Sequence, residues 1–428
     1  MNTPAPIPTT DAAALYAGYD HMDPPIGPDG TPYQYYEAFR DAVIAGHAPV
    51  GWSEKHGGFW VVTRAADVEA ILRAPESFSS AGVIFPKYGV TEPLMLAEQD
   101  EPEHMRGRRL VNMSFMPKSV AQFDDQIEKS VHDLIDGFIE RGATDLGRII
   151  ADPIPSIVTA LLLGFPPEYG PKFDMWTSAA TKEYLTDREA ALPKIAEMYE
   201  YFEANIKRRR ECPGTDILSQ VINSKVDGQQ LSHTELLGFS TVLLIGGIEN
   251  SAKLIGSAMW RLGWDMELRR RLVDHPALMT TAVDEFLRYY CPATVGRIVT
   301  KDTRLHGCTL RTGQQVMLAL PIANRDPERF PNPDAFLPDR PRNSHLSLGS
   351  GLHVCLGQHL IRMEARLVLN ALLARIPDFR PDPSRPSRWI SGVVAGMARV
   401  PVTFKPDKPR GTTRAPGVQE WLAYAERP

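Results

Sequence analysis

The stretch Ser347-Leu348-Gly349-Ser350-Gly351-Leu352-His353-Val354-Cys355-Leu356-Gly357 holds one thiol among glycines, with a histidine two residues ahead of it. Beyond it, apolar residues recur at Leu360, Met363, Leu367, Val368, Leu372 and Leu373, a helical period. The pattern predicts a helix from Leu356 with Cys355 at its N-terminus, where free backbone N–H groups and the helix dipole lower a thiol's pKa. Glycines let a backbone approach a flat group closely and adopt positive φ. A thiolate fixed in such a loop makes a good axial ligand for haem iron. A buried structural cysteine beside a Gly-rich turn is the bland reading of the same residues.

Other residues could assist such a centre. Glu285 and Arg288 stand three apart on a helical stretch, so their charges share one face. His104 and Arg108 do the same at a spacing of four within Asp100–Arg109. Arg297 follows Pro292 and leads the strand-like Ile298-Val299-Thr300. Each of these cations, taken singly, reads equally well as a solvated surface charge. The stretch Leu236–Ala258 is helical and carries Gly246-Gly247-Ile248-Glu249-Asn250-Ser251 at its centre. Two glycines inside a helix cost roughly 1 kcal/mol each, so some gain must offset them. The continuous apolar run Val242–Ile248 falls far short of the roughly 18 to 20 residues a membrane span needs.

Together these motifs resemble the cytochrome P450 family. The cysteine loop is similar to its haem signature, Phe-Gly-x-Gly-x-His/Arg-x-Cys-x-Gly, with Leu348 in place of the phenylalanine. The resemblance implies haem b (iron protoporphyrin IX), ligated by Cys355 in a loop shaped by Gly349 and Gly357. It implies that His104, Arg108, Arg297 and His353 hold the propionates. It also implies that Glu285, Arg288 and Arg340 form a buried charge network on the cysteine side. The implied fold is mainly α with small β-sheets, the haem lying between the oxygen-activation helix and the helix after the cysteine loop. In that helix the family has Gly-x-Asp/Glu-Thr, whose acid and alcohol relay protons. This chain supplies Glu249 but puts Asn250 where the threonine belongs. An amide does not titrate near neutral pH, and Ser251 lies roughly 100° further round the helix. Asn250 positions a water, or a substrate oxygen holds that water, or the site prefers peroxide.

The likeness covers roughly residues 24–405 and runs nearest to the cineole-hydroxylating branch, more distantly to the camphor-hydroxylating one. The shared wording is Gly27–Pro32, Gly51–Glu54, His345–Gly349, Trp260–Leu262 and Glu267–Leu272, with Asn250 itself. It implies a monooxygenase that hydroxylates an unactivated C–H of a small apolar molecule, a monoterpenoid such as cineole, with dioxygen and two electrons. The alternatives are a peroxide-using haem-thiolate enzyme, oxidation or demethylation of a small aromatic compound, and a haem-thiolate sensor without turnover. By alignment the loop Ala81–Leu96 with Tyr88, then Leu243, Gly246, Thr294, Val295, Val393 and Val394, face the substrate. The Tyr88 hydroxyl either holds a substrate ether or ketone or is a rim tyrosine packed on its loop. No flavin or nicotinamide motif is present, so the expected electron donor is a ferredoxin or flavodoxin with its reductase. Arg106, Arg109, Arg342 and Arg362 are candidate docking contacts.

Composition agrees with this reading. The chain has 428 residues, 43% of them hydrophobic, enough to bury a large core. A net charge of −5 without a basic run argues against nucleic acid as partner. The scattered Cys212, Cys291, Cys308 and Cys355 make no disulfide framework or metal spacing, which fits a reducing cytoplasm. Met1–Asp20 lacks a charged-apolar-cleavage pattern, so neither secretion nor membrane anchoring is expected. Residues 1–30 read as an arm over the surface, 31–405 as one catalytic domain and 406–428 as a C-terminal extension. Strands are expected at Phe59–Thr63, Ile298–Thr300, Thr309–Leu310 and Gln315–Leu318, and a helix at Ala65–Arg73. Residues 323–343 read as coil. The extension is a disordered end or a short docked helix over Val418–Arg427.

Overall fold

The computed structural model describes residues 11–226, 228–411 and 414–425. The helices that bear on the site are α1 (Ala12–Ala17), α2 (Glu103–Val111), α3 (Asp124–Asp136), α4 (Pro153–Leu162), α5 (Gly170–Ser178), α6 (His233–Trp264), α7 (Met279–Tyr289), α8 (Gln358–Arg375) and α9 (Val418–Ala425). The strands are β1 (Val50–Ser53), β2 (Phe59–Val62), β3 (Phe78–Ser79), β4 (Val295–Val299), β5 (Gln315–Leu318) and β6 (Gly396–Arg399). Helices dominate and the sheets are small, the architecture expected from the sequence.

Helix α6 begins at a capping box. Ser232 Oγ accepts the Glu235 N–H, and the Glu235 carboxylate accepts the Ser232 N–H at 2.7 Å, which satisfies two otherwise free donors. The helix is apolar on most sides because it crosses the core, and its glycines mark close approaches. A Cβ on Gly247 would lie 2.8 Å from Thr159 Oγ1 of α4, and one on Gly256 would lie 2.4 Å from the Met397 carbonyl of β6. Tight packing against α4 and β6 is therefore the gain that offsets glycine's helix cost at these two positions.

Five strands form one sheet in the order β1-β2-β5-β4-β3. Trp52 faces Trp60 and Arg297 faces Val316 across antiparallel pairs, and Val61 faces Met317 across the parallel one. Arg297 is thus fixed on a central strand. Residues 324–343 form turns and coil around the cysteine side, as expected, after a short helix over Leu320–Ala323.

One expectation changes, and of the two alternatives for the C-terminal extension the docked helix holds. Residues 11–30 do not simply lie over the surface: Leu15, Tyr16 and Tyr19 enter the main core, Tyr19 stacking on Tyr35 and edge-on to Phe39. Residues 1–10 of that arm lie outside the described residues. The C-terminal extension forms α9, which seats Val418 and Trp421 in the core; residues 426 and 427 of the expected helix are outside the described residues. Asp133 and Asp136 of α3 accept backbone N–H groups of Ala415, Arg410 and Gly411 and so tether the extension. Among the described residues no helix is long and apolar enough to cross a membrane.

Candidate active site

Cys355 sits between two local devices. A short 3-10 turn, Gly351–His353, precedes it, and α8 starts only at Gln358, with Gly357 as N-cap. Its N–H donates to the Leu348 carbonyl at 2.8 Å, closing the loop on itself. Gly349 and Gly351 take φ of +75° and +73°, which L side chains rarely adopt, so the loop's glycines are required by its backbone. The residue as a whole is half-buried, while its sulfur lies deep in the loop. One expectation is corrected here: the thiol is not lowered. Burial pushes it up, and the Gly357 N–H and the Arg108 and Arg362 charges oppose that without reversing it. The reason is position, since the cysteine lies ahead of the helix's first turn and a buried thiolate is costly.

The loop is held from behind. Ser347 Oγ donates to the Leu287 carbonyl at 2.6 Å, and Asn324 bridges the Leu346 N–H and Ser347 Oγ, both at 2.8 Å. The Asn324 carbonyl in turn accepts from Arg288. Glu285 lies between Arg288 and Arg340, with contacts of 2.8 and 3.0 Å and all three side chains buried. Both guanidiniums also donate to backbone carbonyls of residues 331–335. The three residues named from sequence therefore meet, and they tie α7 to the coil that feeds the cysteine loop.

Across the loop, His104 and His353 stack at 3.8 Å. The ring of His104 is buried; Nδ1 pairs with Glu101 at 2.9 Å while Nε2 has no partner. His353 uses Nδ1 on the Leu96 carbonyl, and burial, with the neighbouring His104 and Arg297, drops its pKa to about 4. Arg297 is pushed down to about 10 by burial, with Asp100 opposing, and its guanidinium donates to the Gly296 carbonyl. The Arg108 guanidinium makes no hydrogen bond or ion pair among the described residues, and burial lowers it too, against the pull of Cys355. Cations desolvated with so few counter-charges demand an anion.

The distal wall is α6. Between Leu236 and Met259 most residues are buried, yet Val242, Leu243, Gly246, Gly247 and Asn250 are not. Their three-and-four spacing makes one stripe, and a Cβ on Gly246 would have nothing within 4 Å. The helix therefore faces a groove at Gly246. A flat group with two carboxylates fits what surrounds it: a thiol in a glycine loop, an orphaned imidazole nitrogen, under-paired arginines and an open helix face. These residues fit haem.

Glu249 is buried and belongs to a cluster the motifs did not reveal. Lys182 Nζ stands 3.0 Å and Thr181 Oγ1 3.2 Å from the same carboxylate oxygen. Both come from a π-helical turn at Ala179–Glu183, a kind of irregularity frequent at functional sites. Lys253, one turn beyond Glu249, pairs with Asp152 at 3.2 Å and is raised: burial lowers it, but Asp152 and Glu249 outweigh that. Asp174 nearby is pushed up to about 7, by burial first and then by Asp152 and Glu249. Of these partners only Lys253 had a signal in sequence, its i+4 spacing from Glu249. Asn250 Nδ2 reaches back to the Gly246 carbonyl at 3.4 Å. Ser251 is buried and faces Glu364 of α8, away from that stripe, so it does not replace the missing threonine.

Among the residues expected to face the substrate, Thr294 N donates to the Val393 carbonyl at 3.2 Å, and Ala293 bridges Val394, bringing Thr294-Val295 beside Val393-Val394. Thr294 Oγ1 is buried without a partner. Tyr88 is buried in its loop, and burial lifts its pKa well above the ordinary value, with Glu249 adding to it. Of the four docking arginines, Arg106 is paired with Glu235 and Arg362 with Asp284. Arg109 and Arg342 are exposed.

Comparison with known proteins adds identity to geometry. A family model described as Cytochrome P450 matches residues 262–383. The chain is 34% identical over 362 residues to a steroid C26-monooxygenase of Mycobacterium tuberculosis (strain CDC 1551 / Oshkosh), covering 81% of this chain and 96% of that one. It is 33% identical to the mycinamicin IV hydroxylase/epoxidase of Micromonospora griseorubida, over 81% and 89% of the two chains. Among solved structures, CYP101J2 superposes with a TM-score of 0.80 at 27% identity over 91% and 96% of the chains. CYP109E1 from Bacillus megaterium in complex with testosterone gives 0.79 at 30% over 88% and 98%. Likeness at that level, over four-fifths of this chain, makes this protein a member of the cytochrome P450 family, a haem-binding monooxygenase.

Proposed function

We propose that this chain hydroxylates an unactivated C–H of a small apolar molecule, a monoterpenoid such as cineole. What supports this reading is that Leu243, Val295, Val393 and Val394, the residues expected to face the substrate, are apolar, while Thr294 Oγ1 is buried without a partner among the described residues and Tyr88 offers a hydroxyl. Such a lining orients a compact molecule by one oxygen and holds the rest by apolar contact.

When bound, the haem would supply oxygen activation, with Cys355 as the residue that would hold it through its sulfur. His104, Arg108, Arg297 and His353 orient it through its carboxylates. Glu249 carries protons inward, its carboxylate held on one oxygen by Lys182 and Thr181. Asn250 cannot donate a titratable proton and instead positions a water beside Gly246, where the absent side chain leaves room. Thr294 and Tyr88 fix which carbon meets the reactive face. The apolar wall excludes water. Electrons come from a ferredoxin or flavodoxin with its reductase, for which Arg109 and Arg342 are the docking cations left unpaired among the described residues.

Titration of the ferric protein with cineole, camphor, small aromatic ethers, testosterone and a macrolide, followed at the Soret band, tests the substrate class. A shift to high spin with the terpenoids supports the reading. A shift with the steroid or macrolide alone, as the names of the relatives suggest for those proteins, removes it. The second reading, peroxide use, is favoured by Asn250 turning its amide onto a helix carbonyl. Product from peroxide alone, at the rate seen with a redox partner, would establish it.

A further inference from the structure

The N-terminal arm and the β1–β2 turn bring Asp20, His21 and His56 together. One nitrogen of each imidazole and one carboxylate oxygen all lie within 4.8 Å of one another. We propose that these three residues form a binding site for a divalent transition ion of the zinc type.

The argument turns on His21. Its ring is buried, 2% exposed, walled by Phe59, Phe85 and Tyr19. Nε2 lies 2.6 Å from the Phe85 carbonyl, which can only accept, so Nε2 carries the proton. Nδ1 is then the nitrogen with the free lone pair, and it is buried without a partner. An imidazole whose other N–H is pinned on a backbone carbonyl is the usual arrangement of a metal-bound histidine. An apolar core histidine without a ligand would leave that lone pair unsatisfied at a cost.

The other two ligands are reachable. His56 Nε2 and Asp20 Oδ1 are 2.8 Å apart, with side chains 28% and 18% exposed, so an ion can enter from solvent. The backbone of His56 sits at φ 50°, ψ 33°, a left-handed conformation that turns the ring toward Asp20. In a tetrahedral zinc site with bonds of about 2.0–2.1 Å, donors stand about 3.3–3.4 Å apart. Shifts of about an ångström at His56 and Asp20 would close the site. The ion takes the place of the proton between His56 and Asp20, and that proton moves to Nδ1 of the His56 ring. Two nitrogens and one carboxylate suit zinc, not calcium or magnesium, which require six or more oxygen-rich positions. Bound there, an ion would join the arm and the hairpin turn to Phe85, in the loop that carries Tyr88.

The test is a competition titration of the full-length, haem-loaded protein with zinc chloride against a chromophoric zinc chelator. One zinc per chain is expected, with affinity reduced at least about tenfold in His56→Ala and in Asp20→Asn. His306→Ala, which removes the separate surface pair with Asp67, should leave affinity unchanged. Unaltered Soret spectra would show that each variant is folded, and a zinc-edge anomalous peak between the three residues would place the ion. Equal affinity in the wild type, His56→Ala and Asp20→Asn would overturn the proposal. So would a wild-type protein that keeps no zinc at micromolar concentrations.

Discussion

Replacing Glu285 with glutamine should cost this protein both stability and its correctly ligated haem. The carboxylate accepts from Arg288 through two nitrogens, from Arg340 Nε, from the Leu337 N–H and from Asn343. Glutamine keeps the shape but removes the only negative charge between two buried guanidiniums, and its NH2 group points donors at donors. Breaking a buried ion pair from one side costs about 3–5 kcal/mol, against a total stability of roughly 5–15 kcal/mol. The loss also propagates, because Arg288 holds the Asn324 carbonyl and Asn324 holds Leu346 and Ser347 ahead of the cysteine. Urea unfolding followed by far-UV circular dichroism reads the first effect. The ferrous–CO spectrum, which distinguishes thiolate-ligated haem from the inactive form, reads the second. An unfolding free energy within about 1 kcal/mol of wild type, with the CO spectrum unchanged, would refute the account of this network as the loop's support.

Asn250→Ala should lower product formed per electron consumed, and unchanged coupling would remove Asn250 from proton delivery. Tyr88→Phe should scramble the ratio of hydroxylated products; a constant ratio would make Tyr88 a packing residue. Thr294→Val, which removes a buried hydroxyl without a partner, should raise thermal stability slightly while weakening binding of any substrate with an ether or carbonyl oxygen by about tenfold. Glu364, buried, is raised by burial to about 8, with the Ser251 hydroxyl opposing. Its folded state therefore holds a proton that the unfolded chain releases above its ordinary carboxyl range. The associated stability is fully present at low pH and is lost as pH rises toward 8, by as much as roughly 5 kcal/mol. Glu364→Gln should flatten that decline in urea unfolding between pH 5 and 8; parallel curves would show that Glu364 is ionised throughout.

Local chemistry was legible because it follows from neighbours in the chain. The cysteine loop, its positive-φ glycines, the helix after it, Glu285 with Arg288, and the glycine pair of α6 are all spacings of a few residues. Periodicity and backbone sterics act over that same distance. The thiol expectation failed for the complementary reason: a helix terminus is local, but desolvation depends on everything packed around the sulfur, and burial won. The same limit hid Lys182 and Thr181, which reach Glu249 from a π-helical turn 67 or more residues away. It also hid the arm's entry into the core, since tyrosines in an unperiodic segment carry no pattern. Sequence alone determined which residues could ligate, relay or anchor. Only the tertiary structure decided which of them lost water, which found partners and which, like His104 Nε2 and Thr294 Oγ1, were left waiting for one. Burial and pairing are sums over contacts from distant segments, and no window of the sequence contains them.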